Sequence, residues 1–80
     1  MNEPLGDRQI LIDIVQKEMP FGKYAGRKLC DVPTYYLEWF AAKGWPSGRL
    51  GIMLETLFVI RTEGLHDILL ELKKRYGARS

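Results

Sequence analysis

Eighty residues with 46% hydrophobic content describe one small folded domain, residues 1–80, and a formal net charge of +2 is too small to imply a polyanion partner by itself. The single cysteine, Cys30, excludes an internal disulfide framework and points to a reducing compartment. The longest apolar runs, such as Leu57-Phe58-Val59-Ile60, fall far short of the roughly 20 residues that span a bilayer, and no cationic start leads into a long apolar stretch. No membrane partner or signal peptide is expected, and the chain reads as cytoplasmic.

Residues 1–6 lack periodicity and are expected to fray, as are 77–80. Asp7 is a candidate N-cap for a first helix from Arg8 to Glu18, with Ile10, Leu11, Ile14 and Val15 on its apolar side. Pro20 ends that helix by disfavouring α geometry at Met19. The stretch Met19-Pro20-Phe21-Gly22-Lys23-Tyr24-Ala25-Gly26-Arg27-Lys28-Leu29 has the composition of a short β-hairpin. With Tyr24-Ala25-Gly26 as its loop and Gly26 at positive φ, Lys23 faces Arg27 and Phe21 faces Leu29. Pro33 suits the first position of a second helix, which buries Tyr36, Leu37 and Phe40, sets Trp39 and Ala41 at the stripe's edges and ends at Gly44. Trp45-Pro46 turns the chain into a third helix, about Arg49 to Glu63, which Ser47 can cap. Its apolar face is Leu50, Met53, Leu54, Leu57 and Ile60, and Gly64 closes it. A fourth helix, about Leu65 to Tyr76, buries Leu65, Ile68, Leu69 and Leu72. The expected class is α+β: a predominantly helical domain with a helix, one β-hairpin, then three helices.

Met19 to Leu29, continued by Asp31-Val32-Pro33 and Tyr36-Leu37-Glu38-Trp39-Phe40, resembles a family of short bacterial proteins of uncharacterised role, described as quorum-sensing-regulated virulence factors. Lys43-Gly44-Trp45-Pro46-Ser47-Gly48, Leu50-Gly51 and Glu63-Gly64-Leu65 fit as well, so the resemblance runs from about Met19 to Leu72. A shorter version of the motif is similar to a C-terminal segment of some proofreading-type bacterial exonucleases. The acidic metal-binding motifs of their catalytic domain are absent here, so the resemblance implies a module found beside nucleic-acid chemistry and no nuclease activity. The virulence description implies a context and no mechanism.

Lys23, Tyr24, Arg27 and Lys28 are the candidate nucleic-acid-binding residues, because proteins that hold single strands combine cations along the backbone with aromatic platforms. Tyr24 is the expected stacking residue. Gly22 and Gly26 would bring main-chain amides close to phosphate. The competing reading is a solvated hairpin whose charges guard an edge strand, with Tyr24 packed on the core and the glycines serving turn geometry alone. Trp45 and, more strongly, Trp39 are expected as core anchors. Base-specific readout by a helix-turn-helix is disfavoured, since Arg49, Glu55, Thr56, Arg61 and Thr62 are spread through a heavily apolar helix. Cys30 and His66 stand on different elements with no orienting third group, so no enzyme is expected. One Cys and one His supply no zinc site, and no metal or other cofactor is expected. Asp31, Glu38, Glu55, Glu63, Asp67 and Glu71 read as solvated helix faces, and Lys73-Lys74-Arg75 with Arg79 as a solvated C-terminus. The favoured function is a non-catalytic module that binds the nucleic-acid backbone. The alternative is a protein-interaction or regulatory module, with Phe58 and Val59 offering a homodimer contact or the cations docking on an acidic partner.

Overall fold

The computed structural model describes residues 7–77, and among them it has four α-helices: α1 (Arg8–Gln16), α2 (Thr34–Lys43), α3 (Gly48–Thr62) and α4 (His66–Leu72). A 3-10 turn, Leu29–Asp31, leads into α2, and a π-helical turn, Lys73–Gly77, prolongs α4. Of the tails expected at 1–6 and 77–80, residues 1–6 and 78–80 lie outside the described residues. Gly77 does not begin a tail. It closes the π-helical turn so near α1 that a Cβ there would lie 3.2 Å from the Val15 carbonyl oxygen.

Asp7 caps α1 as expected, its carboxylate accepting the amide protons of Gln9 at 2.9 Å and Ile10 at 3.4 Å. The helix stops at Gln16, earlier than the sequence suggests, because Lys17 is already extended at φ −85° and ψ 155°. Pro33 is the N-cap of α2 and not its first residue. Gly44, at φ 119°, ends α2. At the end of α3, Gly64 takes φ 74° and the Leu65 amide donates to the Ile60 carbonyl at 2.9 Å. That six-to-one bond is a Schellman closure, which satisfies a carbonyl the helix would otherwise leave unpaired.

No β-strand occurs among the described residues, so the expected α+β class with one hairpin is overturned and the domain is all-helical. Residues 17–29 do double back, but a single antiparallel bridge, Glu18 with Lys28, joins the two arms. Met19 donates to the Arg27 carbonyl and accepts from the Gly26 amide, both at 2.8 Å, so two residues oppose one as in a bulge. The expected pairings of Lys23 with Arg27 and Phe21 with Leu29 do not form. Pro20 has no amide to continue a ladder, and Gly22 turns the chain at φ 80° before one can start.

This connector is held by burial instead of sheet. Met19, Leu29 and Val32 are all buried from solvent and join the core with Ile10, Ile14 and Val15 of α1. Leu37 and Phe40 of α2, Met53, Leu54, Leu57 and Ile60 of α3 and Leu69 of α4 complete it. Each of the three connector anchors contributes about 1.5–3 kcal/mol by leaving water. α1 and α3 form the central pair; α2 packs on α3, α4 on both, and the π-helical turn on α1.

Two polar devices sit among these elements. Asp13, buried on α1, accepts from Gln9 Nε2 at 2.9 Å and from Arg49 Nε and Nη2 at 3.2 and 3.1 Å, tying α1 to the start of α3. The Gln9 hydrogen bond, then Arg49's bond and charge, outweigh burial and hold its carboxyl below the usual carboxylate range. Arg61, half-buried on α3, donates to the carbonyls of Cys30 and Val32 and to Thr34 Oγ1, fixing the 3-10 turn and the first turn of α2. Burial lowers its pKa, although two backbone carbonyls still hold the guanidinium.

Candidate functional site

The connector brings three of the four predicted binding residues together and separates the fourth. Lys23 Nζ lies 5.6 Å from the ring centre of Tyr24 and 5.9 Å from that of Tyr35, and the Arg27 guanidinium carbon lies 5.9 Å from Tyr24. Such distances are within cation–π range. Among the described residues no carboxylate lies within ion-pairing distance of Lys23 or Arg27. Lys28 turns away and donates to the Gln16 carbonyl at 3.0 Å, placing a cation at the negative end of α1. Its contact is therefore to the scaffold.

Tyr24 is half-buried and engaged on several sides. Its ring meets Tyr36 edge-on with centroids 4.9 Å apart, and its hydroxyl shares a hydrogen bond with that of Tyr35. That bond raises the phenol pKa of Tyr24 and lowers that of Tyr35. The neighbouring hydroxyls, Tyr24 first and Tyr35 second, raise the pKa of Lys23. Gly22 is needed here twice over: it stands at φ 80°, and a Cβ would meet the Tyr36 hydroxyl oxygen at 2.5 Å. Gly26, at φ 90° with open space around it, serves the bulge.

The exposed aromatics lie on α2. Tyr35 is 56% exposed and Trp39 is 51% exposed, which corrects the expectation that Trp39 is a core anchor. Leu37 and Phe40 face the core, so residues 35 and 39, four apart, share an outward ridge. With Tyr36 they line a shallow groove of about 250 Å³. The rings of Tyr36 and Trp39 are nearly parallel, 9° apart with centroids separated by 6.3 Å. Sequence reasoning missed Tyr35 altogether; its spacing from Trp39 was the available signal. Trp45 is half-buried between Phe40 and Phe58, at 6.1 and 5.7 Å, as an anchor of the α2–α3 turn. Phe58 is thereby partly used inside the fold.

The other candidates are dispersed. Cys30 is buried, and burial raises its thiol pKa, so it is a poor nucleophile. His66 is exposed at the start of α4. Lys73 pairs with Asp31 at 3.3 Å and Arg75 with Glu71 at 3.4 Å. Arg79 lies outside the described residues. Among the described residues no three His, Cys, Asp or Glu side chains converge as metal ligands, and no helix is long and apolar enough to cross a membrane.

Residues 7–72 match the family model described as "Putative quorum-sensing-regulated virulence factor". The chain is also similar to the uncharacterized protein YpeB of Escherichia coli (strain K12), 45% identical over 69 residues that cover 85% of this chain and 96% of that protein. YpeB of Escherichia coli O157:H7 matches with the same identity and coverage. No solved structure matches the chain significantly.

Proposed function

We propose a nucleic-acid-binding role for this chain, which belongs to the family described as "Putative quorum-sensing-regulated virulence factor". The family description names a context and no chemistry, so the reading comes from the surface. The observation that carries it is the connector tip: Lys23 and Arg27 stand over tyrosine rings with no carboxylate in reach among the described residues. Unpaired cations of this kind meet phosphate oxygens, and their aromatic neighbours hold them in place without neutralising them. The resemblance of the shorter motif, ending near α2, to a C-terminal segment of some proofreading-type exonucleases is in keeping with the same class. The module acts by binding alone, with Tyr24 positioning the two cations and Lys28 securing the base of the loop.

Fluorescence anisotropy with labelled nucleic acid across a salt series tests this. Two phosphate contacts give a shallow slope of log affinity against log salt, roughly −1.5. Converting Lys23 and Arg27 together to Glu abolishes binding and its salt dependence. No binding at low salt, or binding unchanged in that double variant, overturns the proposal.

A further inference from the structure

We infer that the outward ridge of α2 takes one unpaired base, stacked on Trp39, while Lys23 contacts the adjoining phosphate, so that the ligand is a single strand and not a duplex. This inference rests on the nucleic-acid reading and names the form of the ligand. Trp39 presents half its surface to water, and the groove it lines with Tyr35 and Tyr36 holds about 250 Å³. That is below the roughly 300 Å³ at which small-molecule pockets begin, which suits one flat ring and not a whole folded ligand. The neighbouring Tyr36 ring is nearly parallel to the indole, so the shelf has a defined plane. Lys23 Nζ is 5.9 Å from the ring of Tyr35, which forms one wall, so a positive charge stands at the edge of an apolar slot. Glu38, next to Trp39 in sequence, is not among the groove's lining residues.

That pairing of chemistries, an aromatic slot beside a cation with no carboxylate in reach among the described residues, complements a nucleotide unit. A base inside a duplex has no free face to offer, whereas any unpaired base has one. Stacking is therefore selective for single strands and tolerant of sequence. Tyr24 cannot serve as the platform, because Tyr36 meets it edge-on and Lys23 and Arg27 lie over its ring.

The test compares a labelled oligothymidine with a duplex of the same length, at low salt, against the full chain. The single strand is expected to bind at least about tenfold tighter, and Trp39→Ala to weaken it roughly 5- to 150-fold, the range of one base–aromatic stack. Trp39→Phe retains most of the affinity, and the strand quenches indole emission in the native chain but not in Trp39→Phe. The exposed position of Trp39 leaves the fold intact on substitution, which a circular dichroism melt verifies. Equal affinity for strand and duplex, or full affinity in Trp39→Ala with loss only in the Lys23 and Arg27 double variant, overturns the inference and leaves the backbone-binding reading standing. Absence of binding by either form in the native chain overturns both.

Discussion

Replacing Gly51 with Ala sets two effects of opposite sign against each other. Gly51 lies in the first turn of α3, buried against the Trp45-Pro46 turn. Helix propensity alone favours Ala over Gly by about 1 kcal/mol. A Cβ at this position, however, would overlap the Pro46 carbonyl oxygen and come within 3.0 Å of its carbonyl carbon. Those are backbone atoms and cannot swing aside as a side-chain tip could. Either α3 withdraws from the turn, loosening the packing of Trp45 on Phe40 and Phe58, or the turn itself is displaced. Overpacking of this kind costs typically about 1–3 kcal/mol, and the backbone obstacle puts this site at the upper end. The contact therefore wins, and a net loss of about 2 kcal/mol is expected after the propensity gain is subtracted. Urea unfolding followed by circular dichroism measures it as a lowered midpoint with an unchanged slope. A variant as stable as the parent, or more stable, would show that α3 does not seat on the Pro46 carbonyl and would refute the reasoning.

The ion pair of α1 and α3 makes an acid-dependent contribution. The folded-state pKa of Asp13 is depressed, so its stabilisation is fully present above the ordinary carboxylate value of 3.8 and is lost as pH falls through the lower folded value. Asp13→Asn is expected to cost about 1–3 kcal/mol at neutral pH, since a charge-assisted bond is lost while Arg49, half-exposed, rehydrates. The same variant should lose less further stability between pH 5 and pH 2 than the parent, and parallel urea titrations at several pH values would disprove this if the two curves kept a constant gap. Arg61→Met keeps the aliphatic stem but strands the Cys30 and Val32 carbonyls. A loss of about 2–4 kcal/mol is expected from two unsatisfied acceptors, read by thermal melting, and a near-neutral result would mean water replaces the guanidinium.

The helical plan was largely legible because its punctuation is local. Asp7, Gly44 and Gly64 act through their own backbone geometry and through residues within a few positions, and each sits where a cap was expected. The apolar members of the buried stripes of α1 and α3 follow from spacing, whereas the burial of Asp13 and Thr56 among them does not. What could not be read was anything decided at long range. The connector has the strand-like composition of a hairpin, yet Pro20, Gly22 and the burial of Met19, Leu29 and Val32 settle it as an anchored loop. α2 offers no polar contrast among Tyr35, Tyr36, Leu37, Trp39, Phe40 and Ala41, so its outward face is chosen by packing, and Trp39 was misassigned on size. The anchoring roles of Arg49 and Arg61 could not be read because their acceptors are 36 and 27 to 31 residues away. The cationic tip was visible as a charge pattern; its aromatic neighbours on another element were not.

Tyr36 stands where the connector and α2 meet, with Gly22 laid over its hydroxyl and Tyr24 against its ring. It acts as a rivet between the part that carries charge and the part that carries flat rings. An incoming molecule finds the two already in register, and little motional freedom must be surrendered when it docks. Should that rivet be drawn, by Tyr36→Ala, the two halves would move separately and any grip depending on both would dissociate faster, even though neither cation nor indole had been touched.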